Sequence, residues 1–167
     1  MSADPSLSLS DEDMESAVVV DFAGGRAALF SMRCPDKDGP NEDGAALIPA
    51  AGGRAVLAVA DGMGGRPAGA TASATALACL RERVDDAGPD EASLRAAIVD
   101  GFEYANRRIL ELGLGAGTTL VAAELSEDLL RPIHVGDSGL LVVGQRGKLK
   151  LRTVMHSPVG YAEAAGV

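Results

Sequence analysis

The sequence contains no tryptophan, two tyrosines and three phenylalanines among its 167 residues, so aromatics make up only 3% of it. A core built from such a chain must come from Val, Leu, Ile and Ala, with small residues letting its elements pack closely. Two cysteines, Cys34 and Cys79, are too few for a disulfide framework and form no CxxC pair, which points to a reducing cytoplasm. No apolar run approaches the ~18–20 residues of a membrane span, and no basic stretch followed by an apolar one opens the chain. Basic residues are outnumbered, 15 Lys and Arg against 24 Asp and Glu, for a net charge of −9. That balance argues against nucleic acid or an anionic membrane as a partner. It suits a site in which carboxylates hold divalent cations. The expectation is one soluble intracellular domain.

What is present is a high hydrophobic content, 47%, and 21 glycines, many of them at the ends of apolar runs. Residues 1–15, rich in Ser and acid, read as a disordered acidic tail. Strands are predicted over 16–22 and 27–32, separated by the Gly24-Gly25 turn, and over 44–48 after a polar loop at 33–43. Ala55–Asp61 (AVLAVAD) reads as a strand that ends on a carboxylate and runs into glycines 62, 64, 65 and 69. Helical spacing follows over 68–84, where Leu77, Leu80 and Val84 fall at i, i+3 and i+7, and again over 91–112. Strands return over 115–125, 129–135, 140–143 and 148–154. Strands, two helices, then strands, with hairpins predominating, indicate an α+β sandwich with helices on antiparallel sheet.

Acidic residues recur where strands give way to turns: Glu42-Asp43, Asp61 and Asp137. Side chains from distant parts of the chain converge at such turns, and carboxylates, carbonyls and water are what Mg²⁺ and Mn²⁺ prefer. Any one of these Asp residues alone would be read as a turn former. His134 and His156 are too far apart in sequence to suggest zinc without further ligands.

The local contexts carry more than the single residues. NEDGA at 41–45, VADGMGGRPAGATAS at 59–73, GAGTTLVAAEL at 115–125, IHVGDSGLLVV at 133–143 and LRTVMHS at 151–157 resemble, in order, successive motifs of the PPM family. These are the protein phosphatase type 2C-like, metal-dependent serine/threonine phosphatases, here of bacterial type. The resemblance implies a layered α-β-β-α sandwich, with 16–167 as the N-terminal portion of the domain and its C-terminal part missing. It implies two metal ions, Mn²⁺ or Mg²⁺, and hydrolysis of phosphoserine and phosphothreonine by a metal-activated water. The substrate would be a phosphorylated protein, opposing a serine/threonine kinase. In this comparison Asp61 is the bridging metal ligand, Gly62 contributes its carbonyl, and Glu42 and Asp43 hold metal directly or through water. Asp137 supports the site or a weaker third ion, while Gly117, Thr118 and Thr119 are structural.

The sequence departs from the family at several points. Asp38 stands where the family has an Arg that grips the substrate phosphate, leaving Lys37 or Arg33 as candidates for that place. Lys would offer a point charge rather than a bidentate fork. Gly139 replaces an Arg in GDSR, and Met155 replaces the Asp of DHS. The family's later Asp ligands have no counterpart within the 167 residues. The alternative reading is therefore a catalytically degenerate, phosphatase-like binding or regulatory module. A dinucleotide site is disfavoured, because the third glycine after Gly62 and Gly64 would fall at Pro67.

Overall fold

A computed structural model describes residues 4–36, 38–64 and 68–166 of the chain. In chain order the elements are β1 (Leu7–Ser10), β2 (Val18–Phe22), β3 (Gly25–Leu29), β4 (Asp43–Ala50) and β5 (Arg54–Met63), then the helices α1 (Ala68–Asp85) and α2 (Glu91–Glu111). After them come β6 (Gly117–Thr118), β7 (Leu120–Leu125), β8 (Leu130–Val135), β9 (Leu141–Val143), β10 (Leu149–Arg152) and α3 (Pro158–Ala165). One antiparallel sheet has the order β1-β4-β5-β7-β8, with β6 paired to the end of β5. β2–β3 and β9–β10 form separate two-stranded antiparallel sheets.

The alternation of β5 explains the layering. Val56, Ala58 and Ala60 point to one face and join Ile48, Leu77, Leu80, Val84, Leu94 and Ile98 in the main core, beneath α1 and α2. The opposite face contributes Leu47, which packs with Leu9, Phe22 and Leu29 of β1 and the β2–β3 hairpin. The chain thus stacks helices, the main sheet and hairpins, the antiparallel α+β architecture expected from the sequence. Between the two hairpins runs a trough of ≈ 500 Å³, lined among others by Ala45, Leu57, Val59, Val121 and Leu140. α2 begins at Asp90, whose side chain accepts from the Ser93 amide at 2.9 Å, a standard N-cap.

A buried charge ties the sheet to α2. Glu124 is fully buried and lies opposite Arg131 in the β7–β8 ladder. Arg131 donates to Glu124 at 2.8 Å and to Glu91, in the first turn of α2, at 2.7 Å. The bond to Glu91, with those to Glu124, raises the guanidinium pKa further above its usual value. Such a pair is costly to break from one side, because the remaining charge stays buried.

The segment expected as a disordered tail differs. Leu7–Ser10 is a strand, registered from Leu7↔Leu47 to Ser10↔Gly44 on the edge of β4. Leu9 is its buried inward residue, and one buried leucine among serines supplies the anchor that composition alone concealed. β5 continues two residues past Asp61, because Gly62 and Met63 pair with Thr118 and Gly117. α3 was not anticipated: Ser157 caps it and Pro158 starts it, and it stops at a left-handed Gly166. No helix is long and apolar enough to cross a membrane among the described residues.

Leu80 is fully buried between the helices and the sheet. Leu80→Ala should lower the free energy of unfolding by about 3 kcal/mol, read from the urea midpoint at unchanged m-value.

Candidate metal centre

The β4–β5 ladder places Asp43 directly opposite Asp61. Both are exposed and share the sheet face away from the helices. Directly opposed residues have Cβ atoms about 4.5–5.5 Å apart, and like charges at that spacing are destabilising. A divalent cation shared between them reverses the sign of that term.

Glycine lets three backbone segments meet beside this pair. The Gly62 amide donates to the Glu42 carbonyl at 3.0 Å. A Cβ on Gly62 would lie 2.8 Å from the Glu42 carbonyl oxygen and would overlap the carbonyl of Gly69, in the first turn of α1. The Glu42 carboxylate in turn reaches Gly69, where an added Cβ would meet its Oε1. The end of β5, the start of β4 and the start of α1 are thus closed on one another at a point where any side chain would intrude.

Asp61 is fixed through its backbone. Its amide donates to Thr119 Oγ1 at 3.0 Å. Its carbonyl accepts from the Thr119 amide at 2.9 Å and from Thr118 Oγ1 at 3.0 Å. Thr119 Oγ1 also shares a 2.6 Å hydrogen bond with Ser138 Oγ. Gly136, at φ 92°, allows this approach, since a Cβ there would come within 2.7 Å of Thr119 Cγ2. The turn that carries the exposed Asp137 is in this way joined to the strand end that carries Asp61.

On the other side, Asn41 organises the loop before β4. It is 4% exposed, and its Oδ1 accepts from the Asp43 amide at 3.0 Å. Asn41, Thr119 and Ser138 were given no binding role from the sequence. Asn41 had a signal in the NED motif, whereas the reach of Thr119 and Ser138 depends on contacts between distant strands.

Arg33 forms a 3.0 Å ion pair with Asp13, and Lys37 lies outside the described residues. His134 and His156, far apart in sequence, stack with ring centroids 4.4 Å apart, and His134 Nε2 lies 2.9 Å from the Val154 carbonyl oxygen. Cys34 is exposed and Cys79 buried, and burial foremost raises the Cys79 pKa, so neither makes a redox pair. Among the described residues no three His, Cys, Asp or Glu side chains converge as a complete metal shell. Asp43 and Asp61 face one another across the ladder, whereas the Glu42 carboxylate turns to the start of α1 at Gly69; oxygen donors of this kind are the ones hard divalent cations prefer.

Thr119→Val removes the acceptor of the Asp61 amide at a site 2% exposed. It should cost about 1–3 kcal/mol of stability and speed hydrogen exchange at the Asp61 amide, measured by urea unfolding and by NMR.

The family model for Protein phosphatase 2C matches residues 33–163. The serine/threonine protein phosphatase PstP of Mycobacterium tuberculosis is 40% identical over 90 residues, 52% of this chain and 18% of that protein. A putative protein phosphatase 2C-type protein of Streptococcus pyogenes is 34% identical over 120 residues, 68% of this chain and 48% of its own length. Among solved structures, the S. agalactiae serine/threonine phosphatase superposes with a TM-score of 0.68 at 28% identity, over 97% of this chain and 61% of that one. The chain therefore spans less than two thirds of the length of these relatives. With a family match over most of its residues and the same fold in a solved relative, the chain belongs to the protein phosphatase 2C family.

Proposed function

We propose that this chain carries the Asp61 half of the metal centre of a protein serine/threonine phosphatase, which removes phosphate from phosphoserine and phosphothreonine in cytoplasmic proteins and opposes a serine/threonine kinase. The observation that carries the reading is the register of Asp43 opposite Asp61 at the end of the β4–β5 ladder. Family membership supports it, as do the relatives named as serine/threonine phosphatases.

In this reading Asp61 and Asp43 present their carboxylates to Mn²⁺ or Mg²⁺, two ions in a complete site, and Gly62 adds its carbonyl. Glu42 contributes directly or through water, and Asp137 supports the site from the turn tied to Thr119. When bound, the ions supply Lewis acidity that lowers the pKa of water and neutralises charge on the phosphoryl group. The chain's own part is to hold the carboxylates still. Bonds to both backbone groups of Asp61, and the Asn41 bond to the Asp43 amide, remove freedom that binding would otherwise cost. Arg33, released from Asp13, or Lys37 would take the substrate phosphate, with Arg offering the bidentate geometry.

Asp61→Asn should abolish Mn²⁺ binding to the chain by titration calorimetry and any hydrolysis of p-nitrophenyl phosphate. Wild-type affinity in that variant, or full hydrolysis in excess EDTA, would overturn the metal-site assignment. A second reading, a binding module without turnover, is favoured by Asp38, Gly139 and Met155, which stand where the resemblance leads one to expect Arg, Arg and Asp. It is distinguished by Mn²⁺ binding that persists with no release of phosphate from p-nitrophenyl phosphate or a phosphothreonine peptide.

A further inference from the structure

We propose that the segment Ser10–Met14 is a clamp that positions Glu42 and Asp43 for the cation, with Asp11 as its principal positioning residue. This inference rests on the metal-site reading above. The segment lies outside residues 33–163, which the family model matches.

The contacts converge on Asn41. Asp11 Oδ1 accepts from the Asn41 amide at 2.9 Å, and the Glu12 carbonyl accepts from Asn41 Nδ2 at 2.6 Å. The same Nδ2 donates to Ser31 Oγ at 2.7 Å. Ser31 is itself held by the segment: its carbonyl accepts from the Met14 amide at 3.0 Å, and its amide faces Met14 Sδ at 3.3 Å. With Asn41 Oδ1 taken by the Asp43 amide, both side-chain protons and the side-chain oxygen of this buried residue are engaged. The loop before β4 is therefore pinned from the side of β1.

The pin has a firm base. Ser10 is registered with Gly44, the residue after Asp43, and Leu9 is buried in the second core. Asp11 then takes φ +55°, a conformation that Asp and Asn tolerate better than most residues, and the chain leaves the ladder and crosses over Asn41. Asp13 closes the far side through its ion pair with Arg33. The physical need is plain. A site that takes a cation is best held by bonds that do not involve the metal, and the loop that bears Asp43 has them.

Two substitutions separate positioning from charge and from folding. Asp11→Gly keeps the positive-φ turn without strain but removes the acceptor. Asp11→Asn removes the charge but keeps an oxygen for the Asn41 amide. With the 167-residue chain, Asp11→Gly should weaken Mn²⁺ binding roughly tenfold, as loss of a supporting contact does at metal sites, and Asp11→Asn should restore it. Without metal, hydrogen exchange at amides 41–43 should quicken in Asp11→Gly and not in Asp11→Asn, while exchange in the β2–β3 hairpin stays the same. Wild-type binding in Asp11→Gly overturns the clamp, and so does equal weakening in both variants, which would make Asp11 a field charge only. If the wild-type chain binds no Mn²⁺, the metal reading fails by itself. The clamp is then judged by exchange alone, and unchanged exchange at 41–43 in Asp11→Gly overturns it.

Discussion

The pairing of Asp43 with Asp61 is the constraint around which the molecule is arranged. Eight residue pairs, from Asp43↔Asp61 to Ala50↔Arg54, fix the register of β4 on β5. A slip of one residue would turn Asp61 toward the helices, because successive strand residues face opposite sides. The ladder therefore decides where the two carboxylates stand. Its apolar pairs hold the register, and the register sets Asp43 opposite Asp61.

The two faces of the main sheet divide the work. On one, α1 and α2 cover Val56, Ala58 and Ala60 and supply most of the buried apolar surface. Alanine keeps this layer thin, so the start of α1 comes down onto Gly62 and Glu42. The Glu124–Arg131–Glu91 network ties the same sheet to α2 by charge. On the other face the carboxylates emerge among hairpins and loops, where polar groups remain in contact with water. Most of the packing lies on the helix side, and Asp43 and Asp61 stand exposed on the opposite one.

Much of this could be read from the sequence, and the gaps have physical causes. The apolar run before Asp61, the helical spacing of Leu77, Leu80 and Val84, and the return to strands after Gly113 are local patterns, and the elements fall where those patterns place them. β1 escaped because a four-residue strand among serines and acids derives its order from β4 rather than from its own composition. α3 escaped because eight residues carry too little periodicity, leaving only the Ser157-Pro158 start signal. That the carboxylates at 42, 43, 61 and 137 stand at strand ends and turns was legible, because glycines mark those places locally. The partners that hold them were not: Thr119 to Ser138 and Asn41 to Asp11 are contacts between separate strands, and only the folded topology makes them neighbours. The same holds for the stack of His134 on His156.

β1 also has a consequence for the behaviour of the molecule in a crowded solution. The outer edge of β4, an eight-residue strand, would present a row of open backbone donors and acceptors to any passing chain. β1 covers that edge over four residues, faces outward with Ser8 and Ser10, and breaks off at the left-handed Asp11. A short edge that turns away and carries acid gives a neighbouring strand little to extend. The chain's first strand thus blunts the sheet at the β4 side, while β8 ends it on the other.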